Sequence, residues 1–207
     1  MANSAAAVTP RRTEVRPGLG TVSGAAVIGA ALAQGIVGLL TSTVYPQLAN
    51  PASSSFGPSG ALLTAMHLVM LAGVAGLVAS GAAGKGRFVV LASGITLVGL
   101  VAQALAEAAL RIDFAAGNTL FGYAVPLMAL GFVLLGVAVM RGGAWHGWHR
   151  FTPLLCGLYV PVVLIPAFAI AHGPSFPALA AWQLLFLLLG LAMWSETRFP
   201  TKPAGGR

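Results

Sequence analysis

The sequence predicts an all-α, polytopic membrane protein: a bundle of six transmembrane helices with both termini on the cytoplasmic side. Three observations carry that expectation. The 207 residues are 57% hydrophobic and only 7% charged, with a mean hydropathy of +0.89, whereas soluble domains carry about 25% charged residues. The apolar residues fall into six runs, each near the length of about 20 residues that a helix needs to cross the hydrocarbon core. Lys and Arg collect in alternate connections between those runs, as they do where cations are retained on the cytoplasmic face. The net charge of +7 is spread singly along the chain and forms no continuous basic patch, so the expected partner is the lipid bilayer and not a nucleic acid.

The chain opens with a basic tail, residues 1–20, carrying Arg11, Arg12 and Arg16. The first run, 21–40, follows. Ala31-Leu32-Ala33 resembles a small-residue cleavage site, which makes a signal peptide the competing reading, but apolar character continues to Leu40 and favours a retained span. An uncharged loop, Tyr45 to Ser59, leads to the second run, 60–80, which holds His67 and ends at the cationic turn of Lys85 and Arg87. The third run, 88–110, contains Gln103 and Glu107; as a helix it is about 34 Å long and crosses with some tilt. The fourth, 119–140, is interrupted by Pro126, which membrane helices tolerate where neighbours satisfy the freed carbonyl. After the linker Arg141 to Arg150 comes the fifth run, 151–171, with Pro153, Pro161 and Pro166. The sixth, 176–194, passes into the basic tail 196–207. With six spans, ten of the eleven cations lie on one side, and Arg111 alone on the other. Cleavage of the first run would leave the orientation of the other five unchanged.

Small residues four apart, Ala25, Gly29 and Ala33 on the first helix and Ala72, Gly76 and Ser80 on the second, predict close backbone contacts. The single cysteine, Cys156, excludes an internal disulfide and any CxxC motif. His146 and His149 alternate with Trp145 and Trp148 in the inner linker. They read as an interfacial aromatic belt with water-facing imidazoles, because the sequence places no carboxylate or thiol near them to complete a metal site.

Orientation assigns depth to each polar residue, and the polar residues gather in the outer half. Gln34 lies on the first helix, His67 on the second, Gln103 and Glu107 on the third, Tyr123 on the fourth and Gln183 on the sixth. Polar groups inside a membrane are costly and turn toward a bundle interior or a wet cavity, so a shared depth predicts an outward-facing pocket. Within QALAEAALRID, Gln103 to Asp113, the residues Gln103, Glu107 and Arg111 recur every four positions and share one helix face. Glu107 is the only carboxylate inside an apolar run. Its position about 5 Å from the helix end also suits an ordinary interfacial pair with Arg111. His67, about 10 Å deep, needs a partner for each ring nitrogen. These two are the candidate catalytic residues; Gln34, Gln103, Arg111, Tyr123 and Gln183 are the candidate ligand-binding residues.

No P-loop, dinucleotide fingerprint, HExxH or GxSxG is present, and haem would require His67 to pair with His172, which falls in a Gly-Pro loop. No metal and no cofactor are expected. Three functions fit: a module that binds or passes a small or amphiphilic molecule, alone, as a homo-oligomer or with a membrane partner; a membrane enzyme doing acid/base chemistry on a lipophilic substrate; or a proton-coupled small transporter. The first is preferred.

The basic tail, Tyr45-Pro46 after the first span, the His67 helix, Glu107 closing the third and RFTPLLCGLYVPVVLIPAF from Arg150 to Phe168 resemble uncharacterised six-helix membrane proteins of high-GC Gram-positive (actinobacterial) bacteria. That resemblance covers residues 21–194 and implies the fold and a multi-pass plasma-membrane location without an activity. A more distant likeness is to small integral-membrane terpene cyclases, which protonate a prenyl chain with a membrane carboxylic acid. Glu107 would be that acid here.

Overall fold

The structure is a computed structural model and describes residues 17–142 and 144–198. Of the two tails, only residues 17–20, which begin the first helix, and 196–198, which end the last, are among the described residues. The helices are α1 (Pro17–Thr43), α2 (Phe56–Ala79), α3 (Arg87–Ala109), α4 (Phe114–Gly142), α5 (Thr152–Tyr159), α6 (Ile165–Ala171) and α7 (Phe176–Arg198), with a π-helical turn (Val160–Leu164) joining α5 to α6. Six segments are long and apolar enough to cross a membrane, α5, the π turn and α6 together forming the fifth. The chain is a six-helix, multi-pass membrane bundle, as its hydropathy predicts.

Helix ends extend beyond the apolar runs where local chemistry supports them. α4 starts at Phe114 instead of Thr119 because the Asp113 carboxylate accepts a hydrogen bond from the Ala116 amide, 3.0 Å, and so caps a helix N-terminus that otherwise has unpaired donors.

Each helix packs against its neighbours in sequence, and α1 closes the circle against α7, giving a ring in the order α1, α2, α3, α4, α5, α7. Short connections force this antiparallel arrangement. With lipid on the outside offering no hydrophobic drive, the seams depend on close backbone approach. At Gly24 an added Cβ would stand 2.7 Å from the Gly190 carbonyl oxygen, and at Gly99 it would stand 2.5 Å from the Met128 Cα.

The faces used differ from those expected. Ala25 and Gly29 are exposed, and nothing lies within 4 Å of a Cβ at Gly29; α1 instead turns Ser23, Val27, Ala30, Ala31 and Gln34 inward. On α2 Gly76 does meet α1, with no room for a side chain beside Ser23, while Ala72 is exposed. Ala and Gly occur on every side of these helices, so small-residue spacing alone cannot select the contact face.

The hydrophobic core fills one half of the ring, the half holding the start of α1 and the α2–α3 and α4–α5 connections. Val27, Val74, Leu77, Leu135, Leu189 and Met193 are essentially inaccessible there. At the same end Glu196 clamps the α4–α5 linker: its carboxylate lies 2.7 Å from His149 Nδ1 and accepts the His146 amide at 3.2 Å. Expecting no carboxylate near these histidines was therefore wrong. Glu196 is 47 residues from His149 in sequence, and only ring closure by α7 brings it there.

The fifth span bends for a traceable reason. Pro161 carries no N–H, so the Gly157 carbonyl takes the Val160 amide instead, and this frees the Cys156 carbonyl from its usual helical donor. The Trp182 indole donates to that carbonyl at 2.9 Å. Ile165 then bonds back five residues to Val160, which makes the π turn. Trp182 stacks on Tyr159 and packs against Phe186, which meets Phe132 edge-on at 5.3 Å. This aromatic layer separates the packed half of the ring from the hollow half.

Candidate functional site

Above the aromatic layer the ring encloses a cavity of about 620 Å³, within the roughly 300–1,000 Å³ typical of ligand sites. It lies toward the α1–α2, α3–α4 and α6–α7 connections. Six of the seven sequence-predicted residues line it: Gln34, His67, Gln103, Glu107, Arg111 and Gln183. Five come from α1, α2, α3 and α7, and Arg111 from the turn that follows α3, because helices that alternate in direction bring these sequence-distant positions together.

Tyr123 is the correction. It is 73% exposed on the outer face of α4, although its neighbours Gly122 and Val125 face the cavity. Contacts of Gly131 with Thr96 and of Gly136 with Leu154 set the rotation of α4 and turn Ala124, Met128 and Phe132 inward. The phenol is left on the bundle exterior, where an amphipathic ring suits a membrane boundary.

The polar wall is poorly satisfied. Gln183 Nε2 donates to Gln34 Oε1 at 3.0 Å, linking α7 to α1, yet Gln34 Nε2 and Gln183 Oε1 have no partner. Exchanging oxygen and nitrogen on both amides leaves the same two positions unpaired. Gln103 Oε1 and His67 Nδ1 are also buried without a hydrogen bond; the Leu63 carbonyl one turn back approaches the His67 ring without closing a bond of good geometry. A buried polar group left unpaired costs about 1–3 kcal/mol, and native proteins contain few of them. Here four residues with such atoms border one cavity. Ser93 Oγ, the remaining unpaired atom of this kind among the described residues, lies outside its lining.

Arg111 does not continue the helix face of Glu107, because α3 ends at Ala109 and the Arg111 amide closes a turn onto the Ala108 carbonyl; the two form no ion pair, and among the described residues the only ion pair is His149 with Glu196. Arg111 reaches across to α2 instead. Its guanidinium donates to Thr64 Oγ1 at 2.7 Å, and its stem lies over Gly60. Thr64 in turn donates to the Gly60 carbonyl at 2.9 Å. Glu107 is half-buried and keeps its acceptor capacity toward the cavity.

The opposite wall is apolar. Phe121 and Val125 of α4, Leu164 of the π turn, Ile165 and Phe168 of α6, and Leu179 of α7 form it. Three polar residues of the lining were missed by the sequence reading, Thr41, Ser59 and Asn118. Asn118 had been assigned to a loop, and the Asp113 cap was the signal that would have placed it on α4. No group of three or more His, Cys, Asp or Glu among the described residues is placed to hold a metal ion. The arrangement can therefore offer hydrogen bonds, one carboxylate and one guanidinium on one side and hydrocarbon contact on the other. No protein-family model, curated protein or solved structure matches the chain.

Proposed function

We propose that this protein binds or passes a small or amphiphilic molecule through the cavity, in the plasma membrane, with both termini cytoplasmic and the cavity facing out. One observation carries the reading: Gln34, His67, Gln103, Glu107, Arg111 and Gln183 line a single large cavity, and the first three and Gln183 each carry a buried polar atom without a partner. A bundle selected for stability alone would fill that space with apolar side chains, whereas a ligand with donors and acceptors would pair these side chains once they rotate toward it. The segregation of Lys and Arg supports the orientation.

The test is to purify the chain in nanodiscs and identify what it retains by native mass spectrometry. A stoichiometric ligand is expected on the native protein, and a loss of at least about tenfold in retention in Gln103→Leu. Retention of nothing beyond the composition of the surrounding lipid, in native and variant alike, refutes the reading.

The membrane-enzyme reading has one observation of its own, the unpaired Glu107 carboxylate facing both polar and apolar walls. Glu107 would act as acid or base with His67 as its proton partner. A Glu107→Gln chain that still retains the ligand, while the native chain converts it, would favour that reading over simple binding.

A further inference from the structure

We propose that the cavity opens sideways into the bilayer between α4 and α6, and that its occupant is a zwitterionic, single-chain amphiphile with its head at Glu107 and Arg111 and its chain in that opening. This deepens the binding reading and rests on it.

The wall is uneven. Neighbouring helices elsewhere in the ring pack closely along their length, but α6 packs closely on neither α4 nor α7 and is held mainly through the π turn that precedes it. No residue of α6 is buried. Gly122 and Pro126 of α4 and Ile165 of α6 both line the cavity and are exposed, which is the behaviour of residues at the edges of a slot. The slot is also free of obstruction, since nothing lies within 4 Å of a Cβ built on Gly122. Toward α7 the fifth span is tied below α6, where Ala178 is buried and the Tyr159 hydroxyl of α5 donates to its carbonyl at 3.0 Å.

Two features say what would fill the slot. The helices around it are apolar and of membrane-spanning length, so the medium outside the slot is hydrocarbon. Pro126 has no N–H, so the Gly122 carbonyl at the slot edge lacks its helical donor, which leaves a polar spot part of the way along an apolar path. Inside, a carboxyl group, Glu107, and a guanidinium, Arg111, line the same cavity without pairing, and Arg111 commits one donor to Thr64 while its fork has five. A head with a cationic and an anionic group separated by a short linker would meet both, with the amides of Gln34, Gln103 and Gln183 around it.

The experiment uses the full chain in phosphatidylcholine nanodiscs with lysophosphatidylcholine carrying a photoreactive diazirine at the chain end, and adducts are mapped by peptide mass spectrometry. Adducts are expected at cavity residues such as Leu164, Phe168 and Leu179, as well as on the outer-facing Val162 and Ile170. Gly122→Phe and, independently, Ile165→Trp should plug the slot and cut the cavity adducts about tenfold or more, leaving the outer adducts unchanged. Cavity adducts that persist in both plugged variants, or native adducts confined to Val162 and Ile170, overturn lateral entry. Calorimetry with glycerophosphocholine, the head without a chain, separates the two levels. If it binds the native chain and not Glu107→Gln while the lysolipid labels only the exterior, lateral entry falls and the binding reading stands. If neither compound occupies the cavity, the zwitterionic occupant is overturned, and the binding reading stands or falls on what the native chain retains in mass spectrometry.

Discussion

Replacing Gln34 and Gln183 together by Leu should stabilise the bundle, even though it deletes the 3.0 Å bond between α1 and α7. A hydrogen bond between membrane helices contributes about 0.6 kcal/mol on average and about 1.7 at most. Against it stand two buried unpaired atoms, Gln34 Nε2 and Gln183 Oε1, each costing about 1–3 kcal/mol. Polar groups also find partners in the unfolded but membrane-inserted chain, which favours the low end of that range. The expected gain is about 1–2 kcal/mol. Either single change behaves differently: Gln34→Leu removes one unpaired atom but strands Gln183 Nε2, so the count is unchanged, the bond is lost, and the chain is destabilised by about 1 kcal/mol. A double-mutant cycle of unfolding free energies in mixed micelles reads both signs. The same double variant should lose ligand retention. A double variant less stable than the native chain by more than about 1 kcal/mol would refute the reasoning, because the amides would then be structural links between helices and not groups held open for a ligand.

Gly99→Leu should destabilise by about 2–3 kcal/mol or more, since its Cβ would stand 2.5 Å from the Met128 Cα and overpacking is costly; Gly29→Leu, with open space around it, should stay within about 0.5 kcal/mol in the same unfolding assay. Glu196→Ala should cost about 1–3 kcal/mol, because His149 and Glu196 are only 22% and 10% exposed and the change removes the acceptor of the His149 ring, and it should increase protease cleavage of the 144–148 linker. For topology, a Cys156→Ala background with a cysteine at Ser54 should be labelled by an impermeant maleimide on sealed cells, whereas one at Lys85 should not. Strong external labelling at position 85 would invert the assigned orientation.

The sequence by itself determined the number of spans, their approximate limits and the level at which polar side chains gather. Those properties depend on hydropathy and on a rise of about 1.5 Å per residue, both of which act along one helix at a time. Gln34, His67, Gln103, Glu107 and Gln183 could be assigned to the outer half on that basis, with Arg111 at its edge, and they meet at one cavity. Tertiary structure alone decided rotation. Tyr123 shares their depth but points outward, because close contacts of Gly131 and Gly136 with other helices orient α4. The expected Ala25 and Gly29 face of α1 is likewise exposed, while Gly24 meets Gly190 across the α1–α7 seam. Ring closure by α7 brought Gln183 to Gln34 and Glu196 to His149. The three prolines of the fifth span were legible in the sequence, but the π turn and the donor found by the freed Cys156 carbonyl, the Trp182 indole, were decided by tertiary packing. Rotation and pairing depend on which surfaces of different helices fit together. A chain with Ala and Gly on every side of its helices encodes that fit only in three dimensions, through the few positions where a side chain would not fit.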